Sequence, residues 1–161
     1  MSSVVCTFEL DRKETSRLQC SGFGAVVAFS GHEQGRGNPD WTAVENYGPI
    51  PHGTYYIVDR QSGGRMGPLR DAVSRHIYGS SDRTTWFTLW NPRTGDSTVV
   101  NGVTRGNFRL HPRGAQGRSQ GCIVVDNPSD FDRLERYLRA RKPVIPVPGT
   151  SLKAYGKVIV R

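Results

Sequence analysis

The chain has 161 residues, 35% hydrophobic and 22% charged, enough apolar content to bury a core and too much for a disordered segment. Lysine and arginine number 22 against 14 acidic residues, and the resulting +8 favours anionic partners, nucleic acid and cell wall among them. The basic residues are scattered, unlike a nucleic-acid-binding tail, and no stretch approaches the roughly 20 apolar residues of a membrane span.

In chain order, residues 1–11 have no basic start followed by an apolar core, so they do not read as a secretory signal peptide. Synthesis in the cytoplasm is expected, with another export route for any role outside it. Val4 to Leu10 and Thr15 to Cys20 read as a hairpin around Asp11-Arg12-Lys13-Glu14. Centred near Lys13, that hairpin sets Cys6 opposite Cys20, at a spacing a disulfide can bridge. The pair either oxidises outside the cytoplasm or stays as two buried thiols. The cysteines number 3, so Cys122 is left over in both cases.

Gly24 to Ser30 is a compact apolar strand, and Gly31 to Asp40 a loop. Tyr47-Gly48-Pro49-Ile50-Pro51-His52-Gly53 is a rigid turn feeding a strand from Thr54 to Asp59. Arg60 to Thr84 has little apolar periodicity and several arginines, and is expected to be a basic lid or rim loop. Trp86 to Trp90, Ser97 to Val100, Asn107 to His111 and Gly121 to Asp126 are short strands. Asn127-Pro128 then offers an N-cap and a first-turn proline, and Phe131, Leu134 and Leu138 share one face. A helix over 128–140 follows, then a closing strand from Lys153 to Val160. The expectation is a mainly β fold, a sandwich or barrel of short strands with one clear helix, forming a single domain over 1–161.

The chemistry concentrates between Phe108 and Cys122. One strand delivers His111, a loop rich in glycine and arginine follows, and Gly121-Cys122 opens the next strand. Antiparallel neighbours joined by that loop can place the imidazole and the thiol within hydrogen-bond reach. A neighbouring base raises the small thiolate fraction of a cysteine at neutral pH and later protonates a leaving amine. On this view Cys122 reacts with iodoacetamide below pH 7 faster than a free thiol does, and His111→Ala slows it. Gly121 leaves room beside the backbone for a scissile carbonyl, and Ser119 either donates to the site or shapes the turn. A buried structural cysteine and a histidine capping a strand are the bland alternative. His32, His52 and His76 show no metal-ligand spacing, so no metal or other cofactor is expected.

His111 followed by Ser119-Gln120-Gly121-Cys122 resembles the L,D-transpeptidase signature, a histidine upstream of Ser/Thr-x-Gly-Cys. It is similar to the compact type VI secretion effectors of that family, as is the turn from Gly48 to Tyr55. The likeness runs loosely from Ser30 to Tyr137. It implies a β-rich catalytic domain secreted by a contact-dependent machine, acting in the periplasm of a target bacterium on peptidoglycan muropeptides. It also implies Cys122 as nucleophile, His111 as base and a cognate immunity protein as partner. Attack on the third stem residue would expel the terminal D-alanine, giving L,D-carboxypeptidase trimming or D-amino-acid exchange. Arg109, Arg113, Arg118 and His52 are candidates to hold the anionic stem. Family members that cross-link their own wall usually carry a second histidine where Gln120 stands, and an arginine where Val124 stands. Trimming or exchange is therefore favoured over cross-linking. A stem endopeptidase, or a basic non-enzymatic module binding cell wall or nucleic acid, are the competing readings.

Overall fold

A computed structural model describes residues 3–61, 83–114, 117 and 119–161. Its strands are β1 (Val4–Phe8), β2 (Ser16–Cys20), β3 (Gly24–Phe29), β4 (Gly53–Asp59), β5 (Phe87–Trp90), β6 (Ser97–Val100), β7 (Val103–Gly106), β8 (Arg109–Pro112) and β9 (Ile123–Val125). Helix α1 (Pro128–Arg139) follows, then β10 (Ile145–Pro146), β11 (Lys153–Ala154) and β12 (Gly156–Val160). Eight strands close a barrel in the order β1-β12-β4-β5-β8-β9-β3-β2, with β2 returning to β1. The fold is mainly β with one clear helix, as the strand signals and the apolar face of 128–140 predict.

Alternation builds the interior. Val4, Cys6 and Phe8 of β1, Leu18 and Cys20 of β2, and Val26 and Ala28 of β3 point inward and are buried. Ile57, Phe87, Leu89, Leu110, Ile123, Val125 and Val158 complete the same cluster from the other strands. Asn127 caps α1 by accepting from the Ser129 amide, and Pro128 opens the first turn. The helix packs Phe131, Leu134 and Leu138 into the barrel core. Fully buried side chains of this kind stabilise by about 1.5–3 kcal/mol each.

The register expected of the first hairpin is found. Cys6 pairs with Cys20 across β1 and β2, and their sulfurs form a disulfide, so the two-thiol alternative does not hold here.

Three differences matter. Beyond the expected β6, a partner strand β7 pairs antiparallel with it, making a two-stranded sheet outside the barrel. Its turn is Asn101-Gly102, both at positive φ, the residues that a two-residue hairpin loop demands. Second, β8 and β9 are parallel, not antiparallel, with Leu110 beside Ile123 and His111 beside Val124. The segment 113–122 is long enough to carry the chain back to the start of β8, and pairing direction is set by that return. Third, the closing segment 153–160 divides at Tyr155, whose flanks pair with different strands. The expected lid over 60–84 lies almost wholly outside the described residues.

Candidate active site

The ladders on either side of β8 decide which side chains meet. Phe87 faces Leu110, Leu110 faces Ile123, and Ala28 faces Val125, all with side chains in the core. The alternate residues therefore share the outer face of the barrel wall. These are Trp86 and Thr88, Arg109 and His111, Cys122 and Val124, and Phe29. Phe29, Cys122 and Val124 form an apolar cluster separate from the core. His111 lies directly beside Val124, and Cys122, one residue before β9, lies beside Arg109. His111 and Cys122 are thus diagonal neighbours on one face, a spacing of roughly 7–8 Å between backbones that long side chains can bridge.

His111 is fully buried, and its Nδ1 lies 2.7 Å from the Pro112 carbonyl oxygen. A carbonyl only accepts, so Nδ1 carries the proton, and in the neutral ring Nε2 holds the lone pair. Trp86 stacks on the imidazole with ring centres 4.1 Å apart and planes 17° from parallel.

Cys122 keeps 8% of its surface exposed. Its thiol points at the Asn107 carbonyl, with sulfur and oxygen 3.7 Å apart. Burial pushes the thiol up from its ordinary value, and Asp96 adds to that push. The Arg109 backbone N–H, the Arg109 charge and the Arg105 charge act in the opposite direction. Burial is the largest of these causes, so the thiol is neutral at rest. That direction runs opposite to the expected ionisation below pH 7.

The turn before the sulfur is held at three successive carbonyls by three buried side chains. Arg105 Nη2 donates to Gln120 O at 3.1 Å, Ser30 Oγ to Gly121 O at 3.2 Å, and Ser119 Oγ to Cys122 O at 2.7 Å. Ser119 also accepts from the Gly121 amide at 3.2 Å, so it shapes the turn from within. Gly121 sits at φ 122°, and a Cβ there would come within 2.7 Å of both Arg105 Nη2 and Phe108 Cε1. The space beside this glycine is filled by those two side chains rather than left for a substrate carbonyl.

The candidate anion-binding residues divide. Arg109 adjoins Cys122, but its guanidinium is occupied, bidentate to Asp96 at 2.7 and 3.0 Å and donating to Gln61 O and Phe108 O. Arg113 is half-exposed, ion-paired with Asp126 at 2.7 Å, and 5.7 Å from the Phe29 ring centre. Arg118 lies outside the described residues. His52 is exposed, and the turn that carries it reaches the site through Gly48, Pro49 and Ile50 instead. Among the described residues, no group of three or more His, Cys, Asp or Glu side chains could hold a metal ion.

Three functional neighbours escape sequence reasoning. Trp86 reads only as a strand residue, because its partner His111 is far along the chain. Ser30 reads as the end of a strand. Arg105 lies on β7, the strand that Asn101-Gly102 signals.

A family model for the Tlde1 domain matches residues 24–150, the span that holds His111, the turn and Cys122. The chain belongs to the Tlde1 domain family. The Tlde1 domain is an L,D-transpeptidase-like family. No curated protein sequence matches it. Among solved structures, it is similar to a crystal structure of L,D-transpeptidase 3 from Mycobacterium tuberculosis in complex with a faropenem-derived adduct. That similarity is at 14% identity and a TM-score of 0.39, over 99% of this chain and 60% of the other. The Tlde1 chain thus spans 60% of that structure's length.

Proposed function

We propose that this Tlde1 domain, residues 1–161 as one catalytic unit, cuts or exchanges a peptide bond in peptidoglycan stem peptides through a covalent Cys122 intermediate. The observation that carries this is the placement of His111 and Cys122 as diagonal neighbours on one face of adjacent strands, with the ring oriented by the Pro112 carbonyl.

The thiol is protonated at rest. As the scissile carbonyl arrives, Nε2 takes the sulfur's proton and the thiolate bonds to the carbonyl carbon. The imidazolium then returns that proton to the leaving amine as the C–N bond breaks. The thioester is resolved by water, giving a shortened stem, or by the amine of a D-amino acid, giving exchange. In either case Nε2 takes a proton from the attacking group and returns it to the departing sulfur. Terminal D-alanine is the expected leaving group. Among the arginines first considered, Arg113 is the described one whose guanidinium stays half-exposed, and it is the better candidate to meet a stem carboxylate. Delivery into a target periplasm, and a partner protein that protects the producer, belong to the same proposal.

Incubation with purified tetrapeptide muropeptides tests it. Loss of one terminal alanine, or its replacement when a D-amino acid is supplied, is the expected result. Cleavage deeper in the stem would make the protein an endopeptidase, and unchanged muropeptides would leave a binding module.

A further inference from the structure

Two buried arginines flank the nucleophile, and they are neutralised differently. Arg109 on β8 has a carboxylate of its own in Asp96, at 2.7 Å. Arg105 on β7 keeps only 4% of its surface exposed. Its four hydrogen-bond acceptors are all neutral carbonyls. They are Thr42 O at 2.6 Å and Pro49 O at 3.0 Å from Nη1, and Gly48 O at 3.0 Å and Gln120 O at 3.1 Å from Nη2. Among the described residues no carboxylate lies within ion-pair distance of it. A guanidinium cannot discard its proton at ordinary pH, so the site carries a buried cation whose charge is not cancelled locally. Four carbonyl dipoles offset part of its lost hydration, and the Phe108 ring lies 5.6 Å below it.

We propose that Arg105 is a positioning residue for Cys122, its guanidinium fixing the Gln120-Gly121-Cys122 turn and supplying the counter-charge for the thiolate formed on attack. This deepens the proposed function and rests on Cys122 being the nucleophile. Mechanically, one side chain ties three stretches together: the loop at Thr42, the rigid Gly48-Pro49 turn and the Gln120 carbonyl two residues before the sulfur. Electrostatically, the charged groups that act on the Cys122 thiol are Arg109, Asp96 and Arg105, and the titratable side chain facing it from β8 is His111, its diagonal neighbour. Asp96 opposes Arg109 on the thiol, whereas Arg105 adds a positive charge with no carboxylate bonded to it. The groups that act on Arg105 in turn are Tyr55, Cys122 and Glu45.

Arg105 is also one of the reasons for glycine at 121, beside its φ of 122° and the Phe108 ring. A Cβ there would collide with the guanidinium as well as with Phe108.

The test is the pH–rate profile of iodoacetamide alkylation of Cys122 in folded protein, where Cys6 and Cys20 are linked and silent. It reads the sulfur directly, so it stands whether or not muropeptides prove to be the substrate. Cys122→Ala in the muropeptide assay separately decides the nucleophile. In Arg105→Met the alkylation midpoint is expected to rise by at least about one pH unit, with an approximately tenfold lower rate at pH 8. Arg105→Lys, which keeps the cation and loses the fork, should hold the midpoint near wild type while slowing turnover. Should Arg105→Met not fold, Arg105→Gln keeps amide donors for the carbonyls and removes the charge, with the same rise expected. A folded Met or Gln variant titrating like wild type would overturn the proposal. So would a Lys variant shifted as far as the neutral ones.

Discussion

The β1–β2 hairpin and the 119–122 turn are both pinned, by different means. The hairpin is antiparallel and carries a covalent link between directly opposed cysteines, on the side of the barrel away from the β8–β9 seam. The 119–122 turn sits at a parallel seam and is held by non-covalent bonds, one to each of three successive carbonyls. A staple stabilises by restricting the unfolded chain wherever it lies, whereas a nucleophile must be held to within a fraction of an ångström in the folded one. Stability and precision are thus supplied in separate places, and each can be removed with little effect on the other.

The largest effect separates function from fold. Cys122→Ala and His111→Ala are each expected to lower turnover of tetrapeptide muropeptides by at least about a thousandfold, measured by product chromatography. The melting temperature of Cys122→Ala should stay close to wild type. The converse experiment comes next. Replacing Cys6 and Cys20 together by alanine should destabilise the barrel by about 2–4 kcal/mol, read as a lowered denaturant midpoint. The activity of the molecules that remain folded should be unchanged. Comparable losses of activity in that double variant would erase the distinction between the two regions.

Smaller effects sharpen it. Ser119→Ala leaves the Cys122 carbonyl and the Gly121 amide without their common partner, at about 1–3 kcal/mol, and should lower kcat more than it raises KM. The smallest effect is a pH slope. The folded thiol of Cys122 is pushed above its unfolded value, ordinarily 9.0. Its contribution to stability is therefore complete below that value and lost as pH rises through the folded one. Wild type should lose stability relative to Cys122→Ala above about pH 9, by no more than about 1.4 kcal/mol per pH unit. Denaturation of both proteins at pH 7 and pH 10 measures the difference, and Tyr55, also raised by burial, is common to both.

Much of the fold is legible locally. The position of the cysteines about Lys13 fixes the first hairpin register, and Asn127-Pro128 with Phe131, Leu134 and Leu138 fixes the helix. Asn101-Gly102 is an equally local sign of the β6–β7 hairpin. The direction of β9 against β8 is not local, because His111 and Cys122 alternate inward and outward in the same way whichever way the strand runs. The shared face of His111 and Cys122 does not depend on direction for the same reason: side-chain parity puts both on one side of the wall. Arg105 is hidden in another way. Its partners are main-chain carbonyls, which every residue has, so nothing in the sequence marks them. The thiol's state is hidden too, since burial rather than its histidine neighbour dominates it.

The most direct test of the central claim is the mass of the protein itself, acid-quenched during turnover of a tetrapeptide muropeptide. Wild type should carry a stem-peptide adduct, short of the terminal alanine, mapped to the peptide containing Cys122. His111→Ala should accumulate it far more slowly, and Cys122→Ala not at all. Turnover by Cys122→Ala at the wild-type rate, or an adduct on any other residue, would contradict the account.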